Sequence, residues 1–150
     1  MRLFVLVLGL CVAVRAFGAE ADSANDDVAA VQMAIASYVN AFNTADAKAL
    51  ANHWTEKGEF ILPGGKTLRG REELEAQFTA DFAEPPQAKL ELLETNIEIV
   101  SPSVAVETGV AKVTVADNQP TETDYRVIHV KTAEGWKIDR VQEAVSVAAA

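Results

Sequence analysis

A change of hydrophobic period near residue 88 limits what this chain can fold into. Before it, apolar residues recur at steps of three and four. After it, they run in extended valine- and threonine-rich stretches separated by short turns. Val28, Val31, Ile35, Tyr38, Val39 and Phe42 make one apolar stripe, which predicts a long helix broken at Asn43-Thr44. Asp46 is placed to cap a second, short helix that carries Ala47, Leu50, Ala51 and Trp54 on one face. Glu59 to Leu62 reads as a strand, Pro63-Gly64-Gly65 as a turn, and Lys66 to Arg69 as the return of a small hairpin. Past Gly70 a third helix opens on Glu72, Glu73 and Glu75, which suit the positive end of the helix dipole. It buries Leu74, Phe78 and Phe82 and stops at Pro85-Pro86.

The second half reads as four long strands: Leu90 to Val100, Val104 to Val115, Thr123 to Lys131, and Trp136 to about Val145. The turns between them are short, so the strands form an antiparallel meander. Helices and a hairpin followed by a meander is an α+β order. To bury one face, the long strands must curl around the helices, and Gly109, inside a strand, is where such a sheet can bend.

The amino terminus reads differently. Met1-Arg2 is followed by a nearly unbroken apolar run, Leu3 to Val14, and then by the small residues of Ala16 to Ala21. That is the layout of a secretory signal, and the run is too short to span a bilayer as a helix. The expected organisation is a signal peptide over 1–19, a flexible lead-in over 20–27, and one domain over 28–147. The expected location is secreted or periplasmic, with no membrane contact after cleavage. Cleavage removes Cys11, the only cysteine, so no disulfide is expected. It also removes two arginines and no acid, making the formal charge of −9 more negative still. A surface this acidic repels phosphate backbones and excludes nucleic acid as a partner.

Few residues carry the pattern of a reaction. His53 and His129, the only histidines, stand far apart with no carboxylate or cysteine at ligand spacing, so no metal site is expected. No nucleophile triad and no dinucleotide fingerprint appears, so no cofactor is expected either. Tyr38 sits on the first helix's apolar stripe, where an aromatic is either core or a hydrogen-bond donor facing a pocket. Glu107 interrupts an apolar strand on the side of Ala105, Gly109 and Ala111. A lone strand carboxylate there is either solvated or, if that face lines a pocket, the best candidate for a general base. His129 alternates with Tyr125 and Val127 on one strand face, which is either a pocket wall or the outside of the sheet. Trp54, Phe60 and Leu62 supply apolar wall.

Four segments carry a family resemblance. They are Tyr38 to Leu50, Trp54 to Phe60, the Gly65-Lys-Thr-Leu-Arg-Gly-Arg-Glu-Glu-Leu74 stretch, and Tyr125 to Lys131 with Gly135-Trp-Lys-Ile138. In that order they resemble the nuclear-transport-factor-2-like superfamily, most of all its SnoaL-like group and the SgcJ/EcaC subgroup. The resemblance covers about residues 28–145. It implies a cone-shaped, cystatin-like roll of three N-terminal helices packed on a curved, mostly antiparallel sheet. Compared with the ketosteroid isomerases of that superfamily, the oxyanion-hole tyrosine falls on Tyr38, the base on Leu62, and the second donor near Arg126 or Asp124. Leu62 cannot accept a proton, so the isomerase mechanism is not expected. The leading expectation is an exported domain that binds a small, largely apolar molecule at Tyr38, Trp54, Phe60, Leu62, Glu107 and His129. The alternatives are a pocket enzyme of the cyclase, dehydratase or isomerase kind, and a non-catalytic dimerisation module. Two or more polar groups converging in the pocket would mark an enzyme, and a filled cone would mark the module.

Valine and isoleucine occupy both strand parities, as in Ile97/Ile99 beside Val100, and Val104/Val106 beside Val113/Val115. An apolar outer sheet face of that kind is a liability unless paired, so a two-fold homodimer is expected. Protein recovered from its native host checks both expectations. Mass spectrometry should show a chain starting between Gly18 and Asp22, and light scattering should show a dimer. An exported chain retaining Met1, or a monomer at micromolar concentration, would count against them.

Overall fold

The computed structural model describes residues 17–146. The apolar run of the expected signal peptide lies outside them. The first element, α1, spans Phe17–Asn43. The segment expected as a flexible lead-in, 20–27, is therefore helical. Ala21, Ala24, Ala29 and Ala30 favour helix in this stretch. Asp27 is also held by Lys131 Nζ at 2.7 Å. Farther along, Val31 is fully buried against Ala105 and Trp136, which docks the helix on the sheet. The helix ends at Asn43, whose side-chain amide acts as a surrogate strand. Nδ2 donates to the Leu90 carbonyl at 3.0 Å, and Oδ1 accepts from the Leu90 N–H at 2.7 Å.

Helix α2 spans Ala47–Asn52, and Asp46 caps it by accepting from the Ala49 N–H at 2.9 Å, as its position in the sequence requires. Trp54 does not continue that helix. It opens strand β1, Trp54–Ile61, because its backbone pairs in parallel with Ile138. Strand β2, Thr67–Arg69, closes the hairpin. Helix α3, Arg71–Ala83, buries Leu74 and Phe78, while Phe82 meets Phe42 edge-on at 5.4 Å. The Glu73 carboxylate accepts the Arg69 N–H at 2.8 Å near the start of this helix.

The meander follows as β3 (Ala88–Ser101), β4 (Val104–Val115), β5 (Thr121–Thr132) and β6 (Gly135–Val145). The sheet order is β2-β1-β6-β5-β4-β3, with β1 parallel to β6 and every other pair antiparallel. The architecture is the expected α+β arrangement of helices on one face of a curved sheet.

The sheet has four register shifts, and two of them set which side chains face the cavity. In β3, Glu94 and Thr95 together oppose Gly109 of β4, and Glu94 takes a positive φ of 54°. In β6, Asp139 is the extra residue opposite the Ile128–His129 step. Each bulge exchanges the two faces of its strand. Ile97 and Ile99 thus point inward, onto the cluster of Val31, Ala105 and Trp136. They do not contribute to an outer apolar face, which corrects part of the sequence-based argument for a dimer. The outward parity of β4 and β5 instead carries half-buried Val104, Val106, Val110, Ile128 and Val130.

Gly109 is the bend foreseen from the sequence, and the reason for glycine there is contact. A Cβ atom at this position would lie 2.8 Å from the Leu93 carbonyl oxygen and 2.8 Å from the Tyr125 hydroxyl. Gly109→Ala is expected to destabilise the fold by about 1–3 kcal/mol through overpacking. Urea denaturation measures this, and an unchanged midpoint would show that the Tyr125 ring can move aside freely.

Candidate functional site

A cavity lies between the helices and the inner sheet face, with about 100 Å³ open to the centres of water-sized molecules. Its wall is largely apolar. The rings of Tyr38, Phe42, Phe60, Phe78, Tyr125 and Trp136 contribute, as do Leu90, Leu92, Val127, Ile138 and Val141. Four further ionisable side chains share it: His53, Glu107, His129 and Glu143.

Strand pairing brings the central group together. Glu107 of β4 lies opposite Val127, and Tyr125 and His129 flank Val127 on β5, so alternation sends all three polar side chains to the inner face. The Tyr125 hydroxyl donates to Glu107 Oε1 at 2.8 Å, and His129 Nε2 meets Glu107 Oε2 at 2.7 Å. Since the phenol proton is committed to Glu107, Thr95 Oγ1, at 3.2 Å, donates to the Tyr125 oxygen. Glu107 and His129 are each 2 % exposed, a burial that a carboxylate tolerates only when hydrogen-bonded. In the tautomer with its proton on Nε2, His129 donates to Glu107 Oε2, and both carboxylate oxygens then accept. Nδ1, buried and without a partner, is the nitrogen left over. The indole N–H groups of Trp54 and Trp136 are likewise buried without partners.

Two more polar groups meet the cavity from α1 and β6. Tyr38 and Glu143 make no hydrogen bond in the described structure. Burial, and then the charge of Glu143, push the Tyr38 phenol well above its ordinary value. The indole N–H of Trp54 pulls the other way without reaching hydrogen-bond geometry. Burial likewise raises the Glu143 carboxyl, and burial, then the charge of Glu107, raises the Tyr125 phenol. His53 packs edge-on against Tyr38 at 5.7 Å. Its Nδ1 lies 2.8 Å from the Ala49 carbonyl and its Nε2 2.9 Å from Ser37 Oγ. Burial lowers its pKa, consistent with a neutral ring whose Nδ1–H donates to the carbonyl and whose Nε2 accepts from the serine.

Of the residues singled out from the sequence, the cavity wall holds Tyr38, Phe60, Glu107 and His129. Two are misplaced. Trp54 is fully buried core behind Phe60, with ring centroids 5.6 Å apart, because it sits at the start of β1 and not on a helix face. Leu62 lies past the end of β1, in the turn closed by the Leu62 N–H to the Lys66 carbonyl, and packs on the core. Arg126 and Asp124 are exposed on the opposite strand face. Sequence reasoning missed Tyr125 and Glu143. The alternation with His129 pointed to Tyr125. Glu143 was hidden by the β6 bulge, since Trp136 and Ile138 point inward at even numbers and Val141 and Glu143 at odd ones. Among the described residues, no three His, Cys, Asp or Glu side chains are grouped to hold a metal.

Residues 31–150 match the sequence profile of a family described as the SnoaL-like domain. No curated protein sequence matches the chain. Among solved structures, it is similar to a nuclear-transport-factor-2-like protein with a cystatin-like fold from Novosphingobium aromaticivorans. The TM-score is 0.73 at 21% identity, over 88% of this chain and 90% of that one. A protein from the same organism, provisionally named a scytalone dehydratase, gives 0.73 at 15% identity, over 85% and 89%. One from Xanthomonas campestris, provisionally named a calcium/calmodulin-dependent protein kinase II association domain, gives 0.68 at 17% identity, over 82% and 88%. At these identities the likeness is one of fold.

Glu143 allows a direct check on the polarity of the cavity. Its folded pKa is raised above 4.5 by burial. Its contribution to stability is therefore full below its unfolded pKa and is lost as pH rises through the folded one. Glu143→Gln should flatten the fall in stability across that window, as read by chemical denaturation on either side of it. Identical slopes for the two proteins would mean that the carboxyl is solvated.

Proposed function

The chain belongs to the SnoaL-like domain family, and from that premise we propose that it is a pocket enzyme that moves a proton on a small, largely apolar molecule, with His129 as the proton carrier. The observation that carries this reading is the 2.7 Å contact between His129 Nε2 and the buried Glu107 carboxylate in the cavity wall, with Nδ1 left without a partner. Glu107 fixes the tautomer and orientation of the imidazole and stabilises the cation formed when Nδ1 takes a proton, and Tyr125 holds Glu107 from its other oxygen. The Tyr38 phenol, kept protonated by its burial, is the donor for an oxygen on the bound molecule. Several polar groups converge in an open cavity, which favours an enzyme over a simple carrier and over an association module with a filled core. Elimination of water is one reaction such a set serves, and one similar fold carries a dehydratase name.

Incubating the protein with apolar compounds that bear carbonyl or hydroxyl groups tests the proposal. At least one should bind and be consumed. His129→Gln, whose amide N–H can still donate to Glu107, should leave binding intact and slow turnover by about 10²–10⁴-fold, the usual worth of a positioned acid–base group. Binding without turnover by the unmodified protein would leave a ligand-binding domain in its place.

A further inference from the structure

We infer that the cavity takes an organic cation, a small apolar amine whose ammonium group pairs with Glu143 against the aromatic wall. This rests on the pocket reading above and narrows its ligand class. The wall contains two carboxyls and no lysine or arginine. The two oxygens of Glu107 are already engaged, by Tyr125 and His129. Glu143 has no such partners, although it is partly buried and faces an apolar space. An unpaired carboxylate is costly there, and the cavity wall holds no lysine or arginine to pair with it, so a cationic ligand would bring the missing charge with it.

The rings favour the same class. An ammonium group is drawn to the faces of tyrosine, phenylalanine and tryptophan, and six such rings line this space. An anion would meet two carboxyls in a low-dielectric wall, and a formal charge of −9 on the chain would repel it on approach. A neutral ligand would leave Glu143 further desolvated with nothing in exchange.

The titratable groups that share the cavity with Glu143 are Tyr38 from α1, His53 at the end of α2, Glu107 from β4, and Tyr125 and His129 from β5. Neither phenol carries a competing positive charge. Burial keeps both protonated and holds His53 toward its neutral form. The ionised form of Glu143 is the one that binds a cation, so amine affinity should rise with pH through the titration of this carboxyl.

Three probes of matched shape decide the matter, each measured by calorimetry on the full chain at neutral pH: cyclohexylmethylamine, cyclohexylmethanol and cyclohexanecarboxylate. The amine should bind about tenfold tighter than the alcohol, with the carboxylate weakest. Glu143→Gln should remove the amine's advantage over the alcohol while the alcohol still binds, which also shows that the variant is folded. Equal binding of amine and alcohol by the unmodified protein would overturn the inference while leaving the pocket reading in place. An amine preference that survives Glu143→Gln would overturn it too. Binding by none of the three would overturn both.

Discussion

The lining of the cavity depends on two of the places where one strand carries a residue more than its neighbour. A flat meander would pack its inner face directly on the helices and leave no interior space. The extra residues at Glu94–Thr95 and at Asp139 increase local twist and bend the strands around a hollow. They also decide which side chains the hollow receives. The β3 bulge turns Ile97 and Ile99 inward to support α1, and its Thr95 reaches the Tyr125 hydroxyl. The β6 bulge turns Val141 and Glu143 inward, giving the cavity its second carboxyl. Without the β6 bulge, Glu143 would fall on the outer face and the cavity would keep Glu107 as its one carboxyl.

The Glu107 network follows from that geometry. A carboxylate at 2 % exposure is tenable because each oxygen accepts a proton from a group fixed by the adjacent strand. The cost of breaking the set is unequal to the gain in making it. Losing either partner leaves a buried carboxylate oxygen unsatisfied, which typically costs about 1–3 kcal/mol. Tyr125 is pinned in turn by Gly109, whose missing Cβ makes room for the ring, and by Thr95 beyond it. A glycine, a threonine and a tyrosine thus hold the orientation of an acid and a histidine that no local sequence motif announces.

Much of this was legible in the sequence because it depends on local periodicity. The stripe from Val28 to Phe42, the Asp46 cap, the glutamates opening α3 and the alternation of Tyr125, Val127 and His129 need no tertiary information. The same holds for the bend at Gly109. The failures share one cause, which is that long-range pairing overrode local pattern. Trp54 left its helix face to pair with Ile138, and Leu62 fell beyond the end of its strand. Glu143 lay one residue out of phase with Trp136 and Ile138 because a bulge intervenes, and bulges of this kind leave no reliable mark in composition. Glu107 and His129 could be named from the sequence, but their contact depends on the β4–β5 register, which pairs Glu107 with Val127 and Ala105 with His129.

The two ends of α1 are held by different means. At Asn43 the side-chain amide exchanges two hydrogen bonds with the backbone of Leu90, a neutral clamp that dissolved ions leave nearly untouched. In the amino-terminal half of the helix, the largely buried Asp27 carboxylate meets the half-exposed Lys131 ammonium in an ion pair that salt screens only in part. Between these two contacts, Val31 is fully buried against Ala105 and Trp136, so the helix roofing the cavity is anchored along its length. Lys131 also lies over the Trp136 ring, 5.8 Å from its centroid, so this ion pair rests directly behind one wall of the cavity.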